Sequence, residues 1–318
     1  MALTILSQAS LSKCEEYLYQ DLILTSYALK DIGGGKVEWK VSDESGDKAT
    51  FLTNIKKTGG GWFRPEKFEG EKLTIGQAKD ILNEDGRKPL FCIHGYSVKP
   101  EGQMKECKEC QKNFKNTLKP IPVIWPSDGI NYFDQRDDSV EAGEAFQKIV
   151  EEFESIKDTI KRFPAKSVMA HSMGNRVLRF AAIAKLKFDN IFMVAADVPY
   201  DLFHADYKER NKKGAEANGV AICKMLSNGI LNKKGKVYVL FNERDLALVG
   251  SAIIKEARLG KTGAGTKEEL DDKVKDLVVS YDCKDFVSRF SIGHSYQFEE
   301  FACKYYEDKY KSIDDANS

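Results

Sequence analysis

A serine with small residues two positions before and two after it stands out in the run Val168-Met169-Ala170-His171-Ser172-Met173-Gly174-Asn175. Apolar residues precede it and a helical pattern, Asn175–Leu186, follows, so Ser172 falls on a tight turn between a strand and a helix. The spacing matches the G-x-S-x-G nucleophile elbow with Ala170 in the first glycine position. Such a turn brings its flanking positions nearly into contact, which explains the small residues. It holds the serine in a strained backbone conformation that lifts Oγ to the top of the sheet. The helix N-terminus behind it directs N–H groups and partial positive charge at the same point. The chemistry this offers is attack of a hydroxyl on a carbonyl carbon.

A serine nucleophile needs a base, and the chain has four histidines. His171 adjoins Ser172 and is expected to point elsewhere. His94, in His94-Gly95-Tyr96, ends the first buried strand and is expected to brace its loop. His204, in the polar stretch after the fourth strand, reads as a surface residue. His294, in Gly293-His294-Ser295-Tyr296, lies in the loop after the last strand. Parallel strands share one carboxyl edge where ligands bind, so His294 is the histidine placed to approach Ser172. The base in turn needs an orienting carboxylate. Asp245 follows the fifth strand and Asp197 the fourth. Asp245 is preferred because its strand immediately precedes the histidine's, with Asp197 as the alternative acid. An oxyanion needs two N–H donors. Met173, directly after the nucleophile, is one. Tyr96, after the sharp bend at Gly95, is the other.

The elements that must position these residues alternate. Apolar runs near 90–93, 121–125, 167–170, 191–195, 236–241 and 277–281 read as strands, the first of them a short continuous run as expected of a strand buried on both faces. Helical patterns lie between them, clearest over Ser139–Phe163, where Val140, Phe146, Ile149, Val150 and Phe153 recur at three- and four-residue steps. Further helices are expected over Gln103–Leu118 and Gln297–Tyr310. This alternation predicts an α/β fold with a mainly parallel sheet and helices on both faces. Residues 1–80 read as an N-terminal extension packed on a catalytic domain of residues 81–318. In the extension, Ser12-x-x-Glu15 resembles a capping box, and apolar positions from Cys14 onward keep helical spacing until Gly33-Gly34-Gly35. Strand alternation at Val37, Trp39 and Val41, a turn at Asp43–Asp47 and a return strand over Thr50–Ile55 suggest a hairpin. Thr74–Glu84 fits a short helix. The connection 199–235 is long and could carry a lid.

Taken together, Ile93-His94-Gly95-Tyr96, Ala170-His171-Ser172-Met173-Gly174-Asn175-Arg176, Arg244-Asp245 and Gly293-His294-Ser295-Tyr296 resemble the α/β-hydrolase superfamily. More narrowly, with Val123-Ile124-Trp125-Pro126-Ser127, Ala195-Ala196-Asp197-Val198 and Ala257-Arg258-Leu259-Gly260, the chain is similar to a family known as a domain of unknown function. The resemblance covers roughly residues 88–300. It implies Ser172 as nucleophile, Asp245 as acid and His294 as base, and it supplies no substrate. Alanine at position 170 departs from the glycine pattern in a way many hydrolases share. The expected activity is that of a serine esterase acting on a small-molecule carboxylic ester without metal or organic cofactor. An acyltransferase on the same fold and a non-catalytic binding or scaffold protein are the alternatives.

Composition narrows the remaining classes. The 49 Lys and Arg balance 49 Asp and Glu among 318 residues, which argues against a nucleic-acid binder. No apolar run approaches the roughly 20 residues of a membrane helix, and the start lacks the pattern of a secretory signal. Seven scattered cysteines then read as reduced thiols, giving a cytoplasmic expectation. Cys107-Lys-Glu-Cys110 has no second ligand pair at a zinc spacing. Gly260-Lys261-Thr262 resembles part of a phosphate loop, but position 255 is Lys, and a surface loop is expected instead.

Overall fold

The computed structural model describes residues 17–61, 64–114, 117–127, 131–155, 167–181, 188–205, 231–251, 257–287 and 293–314. Eleven strands form one sheet in the order β11-β10-β9-β8-β6-β7-β1-β4-β5-β3-β2. They are β1 Ile23–Tyr27, β2 Lys30–Gly33, β3 Lys36–Lys40, β4 Ser45–Gly61, β5 Arg64–Lys72, β6 Lys88–Ile93, β7 Leu118–Ile124, β8 Ser167–His171, β9 Phe188–Val194, β10 Leu231–Phe241 and β11 Val278–Asp282. From β11 to β1 every neighbouring pair is parallel. β4, β5, β3 and β2 continue the sheet antiparallel. All six strands expected from residue 88 onward are present, in the α/β arrangement anticipated.

Helices cover both faces. They are α1 Ile75–Asp85, α2 Pro100–Asn113, α3 Tyr132–Ser155, α4 Gly174–Ala181, α5 Ala247–Ser251, α6 Leu259–Thr262 and α7 Glu300–Asp314. One face packs Ala78 and Leu82 of α1, Ala142 and Phe146 of α3 and Val177 of α4 against the sheet. The other packs Cys107 and Cys110 of α2 and Cys303, Tyr306 and Tyr310 of α7. Strand β8 shows how the sheet serves both. Val168 and Ala170 join the first cluster, and Met169 between them joins the second. Burial of a side chain the size of Val168 or Met169 is worth about 1.5–3 kcal/mol. Helix α1 starts at a capping box, with Thr74 Oγ1 accepting from Gln77 N at 3.2 Å and Gln77 Oε1 accepting from Thr74 N at 2.9 Å.

The N-terminal region departs from expectation. Where helical spacing was read, residues 23–27 form β1, inserted between β4 and β7 and wholly buried. A strand covered on both faces has no reason to alternate, and its apolar run matched a helical period by accident. Gly33, Gly34 and Gly35, all at positive φ, do not stop a helix but turn the β2–β3 hairpin. Strands β3 and β4 are not partners either, because β5 lies between them. The capping box expected at Ser12 lies outside the described residues, as does most of the expected lid. Within the latter, a 3₁₀ turn Tyr200–Phe203 packs into the core.

Candidate active site

Ser172 occupies the step between the end of β8 and the start of α4, with φ at +51°. This left-handed conformation costs a non-glycine residue on the order of 1–3 kcal/mol, and local bonds hold it. Ser172 N donates to Val194 O of β9 at 3.0 Å, and Ser172 O accepts from Asp197 N at 3.2 Å. The Asn175 amide donates to Ala170 O at 2.8 Å and to Ser172 O at 3.1 Å, tying the turn from inside. Two glycines let the chain pass. A Cβ at Gly174 would lie 2.5 Å from His94 O, and one at Gly95 would lie 2.9 Å from Ser172 Cβ. The loop carrying Tyr96 therefore runs directly against the serine. Met173, the next residue along the elbow, is fully buried.

His294 and Asp245 meet on the same edge. His294 Nδ1 is 2.7 Å from Asp245 Oδ2. A carboxylate only accepts, so Nδ1 carries the proton and Nε2 is left as the basic nitrogen. Asp245 is completely buried and is itself held, its Oδ1 accepting from Leu248 N at 3.1 Å and its N donating to Asn242 O at 2.9 Å. The loops are neighbours because β10 and β11 are paired in register from Val237 with Val278 to Phe241 with Asp282.

Asp197 is engaged elsewhere. Its carboxylate accepts from the Tyr132 hydroxyl and lies 3.2 Å from Arg258 Nε, with both side chains 2% exposed. Burial first, then the charge of Asp197, raises the Tyr132 phenol well above its ordinary range. Tyr132 in turn meets the ring of Tyr96 edge-on at 5.8 Å. Arg258 leads into α6, where Leu259 N bonds Val198 O and Gly260 N bonds Ala196 O, each at 2.9 Å. The Gly260-Lys261-Thr262 run is thus a short helix docked on the end of β9, not a surface loop. A Cβ at Gly260 would sit 2.1 Å from Ala195 C, which accounts for the glycine without a phosphate.

The other histidines are structural or supporting. His94 stacks on Trp125 with ring centroids 5.4 Å apart. Its Nε2 accepts from Trp125 N at 3.2 Å, so Nδ1 carries the proton and donates to Gly95 O at 3.0 Å. Burial lowers its pKa to about 4. It braces the loop as anticipated. His204 is not a surface residue. It is buried, with Nε2 3.2 Å from Ala264 O. His171 does not point away from the site. Its Nε2 is 3.1 Å from His294 O, and the two rings lie 4.8 Å apart. Asn242 Nδ2 donates to the preceding carbonyl, Gly293 O, at 2.9 Å. Sequence reasoning passed over both contacts. The signal available was their position, since His171 ends β8 and Asn242 directly follows β10, beside the histidine loop.

Among the described residues, no group of three or more His, Cys, Asp or Glu could hold a metal ion. No described helix is long and apolar enough to cross a membrane. The family model "Alpha/beta hydrolase of unknown function (DUF900)" matches residues 73–304. No curated protein sequence matches. Among solved structures, a lipase-esterase related protein from Clostridium acetobutylicum ATCC 824 is similar at 12% identity, over 71% of this chain and 93% of that one, with a TM-score of 0.35. A puromycin-hydrolyzing peptidase of Mycobacterium tuberculosis is similar at 11% identity, over 88% of this chain and 45% of that one, with a TM-score of 0.39. Likenesses this distant carry no argument about activity.

Proposed function

The chain belongs to the DUF900 family of α/β hydrolases, and from that premise we propose that it is a serine hydrolase that cleaves carboxylic esters through an acyl-enzyme on Ser172. The observation that carries this reading is the contact of the partly exposed His294 with the buried Asp245, 2.7 Å apart, on the sheet edge where Ser172 stands at positive φ. An imidazole whose Nδ1 proton is tied to a carboxylate presents Nε2 as a general base. In the proposed reaction His294 Nε2 takes the proton of Ser172 Oγ as Oγ bonds to the ester carbonyl carbon. The N–H groups of Met173 and Tyr96 receive the developing oxyanion. The tetrahedral adduct collapses, the C–O bond breaks, and the imidazolium returns its proton to the departing alcohol. Water, deprotonated by the same nitrogen, then attacks the acyl carbon and releases the carboxylic acid and free Ser172. The residues in named roles need no metal or organic cofactor for these steps. The substrate is a small molecule, and the seven scattered cysteines, read as reduced thiols, favour a cytoplasmic enzyme.

A panel of p-nitrophenyl esters of increasing acyl length, run beside the matching p-nitroanilides, tests the ester assignment. Turnover of esters well above anilides is expected. Anilides cleaved as fast as esters would replace the esterase reading with an amidase.

A further inference from the structure

Two side chains from different strand ends grip consecutive carbonyls of the loop that carries the base. Asn242 Nδ2 bonds Gly293 O at 2.9 Å, and His171 Nε2 lies 3.1 Å from His294 O. A carbonyl only accepts, so His171 must carry its proton on Nε2. Its other nitrogen, Nδ1, is buried and meets no hydrogen-bond donor among the described residues. It faces the backbone at Gly95, where a Cβ would be 3.1 Å away. A second proton there would have nothing to bind, and burial accordingly lowers the pKa of His171 to about 3, with the nearby His294 adding to the effect. A buried acceptor left without a donor is unfavourable. Retaining an imidazole here therefore points to the work of its other nitrogen.

We propose that His171 is a positioning residue: its Nε2–H, together with the Asn242 amide, fixes the backbone of Gly293 and His294, so that the base stays aligned between Asp245 and Ser172. The proposal rests on the serine-hydrolase reading above. His171 touches neither substrate nor Oγ in this role. It acts through the main chain of His294, and its neutral ring adds no second positive charge beside the imidazolium that forms during attack. The nucleophile's own strand thereby sets the position of the base, since His171 and Ser172 are adjacent.

The test compares His171→Phe, His171→Gln and Ser172→Ala as full chains on p-nitrophenyl acetate, with folding followed by circular dichroism. Phenylalanine keeps the ring against His294 and removes the donor, whereas glutamine restores an N–H at similar reach. His171→Phe should lose about 10- to 100-fold in kcat with KM little changed, as misplacement of a reacting group does. His171→Gln should recover most of that loss. A folded His171→Phe with the kcat of the original chain, or a His171→Gln as impaired as the phenylalanine variant, overturns the proposal. Should His171→Phe fail to fold, the folded glutamine variant decides alone: near-original kcat supports a role for the donor, and a large loss refutes it. Ser172→Ala separates the two claims. If it is inactive while His171→Phe keeps full kcat, only the positioning role fails. If it keeps full turnover, the nucleophile and everything resting on it fall together.

Discussion

Asp197 and Asp245 both follow strands on the same edge, yet their side chains meet different partners. Asp245 touches the base histidine, and Asp197 is locked between Tyr132 and Arg258. Their substitutions should therefore fail in different ways. Asp245→Asn should fold and lose on the order of 10⁴ in kcat, because an amide no longer fixes the reactive tautomer or stabilises the imidazolium. Asp197→Asn should keep most of kcat in its folded fraction and lose about 3–5 kcal/mol of stability, since Arg258 is left buried opposite a neutral amide. Steady-state kinetics and urea denaturation on both variants check this. A crippled but stable Asp197→Asn would move the acid to the fourth strand of the core. At this scale the sequence was informative where a residue type is scarce. Four histidines and one elbow serine left few combinations. It was silent on the pairing of Arg258 with Asp197, which lies 61 positions earlier and shares no local pattern with it.

At the scale of elements, legibility followed burial. Strands β6 to β9 are interior, short and apolar, and were read correctly because helical segments between them left no competing period. β10 and the edge strand β11, exposed at Val279 and Ser280, were legible from the runs Lys236–Phe241 and Leu277–Tyr281 alone. β1 is equally apolar but stands beside segments of mixed pattern, and a helix was read through it. The order of β3, β5 and β4 was illegible because adjacent segments in sequence usually pair, and here β5 intervenes. The Thr74-x-x-Gln77 capping box went unread in the sequence, although a short helix was expected over Thr74–Glu84. The Thr74 box opens α1, which carries none of Ser172, Asp245 and His294. Thr74→Ala should cost about 0.5–2 kcal/mol and leave ester turnover unchanged. A denaturation midpoint identical to that of the original chain would remove the cap from the account of α1.

For the molecule as a whole, the two neutral histidines behind the site link stability to pH. His94 and His171 have pKa values of about 4 and about 3 in the fold, both lowered chiefly by burial, against about 6.5 in an unfolded chain. Between those limits the unfolded chain binds more protons, so stability rises with pH. Their contribution is complete above about pH 6.5 and is lost as pH falls towards the folded values. At pH 5 each should have cost about 2 kcal/mol relative to pH 7. Denaturation midpoints that do not fall between pH 7 and pH 5 would contradict the burial of both rings. The sheet brings Ser172, His294 and Asp245 to one edge from three separate loops, and the central claim is that the serine there becomes covalently acylated. Reaction with a fluorophosphonate, followed by peptide mass mapping, tests that claim most directly. The account predicts one adduct, on Ser172, formed much more slowly when His294 is changed to alanine. An unlabelled Ser172 in the folded chain, or an adduct on another residue, would contradict it.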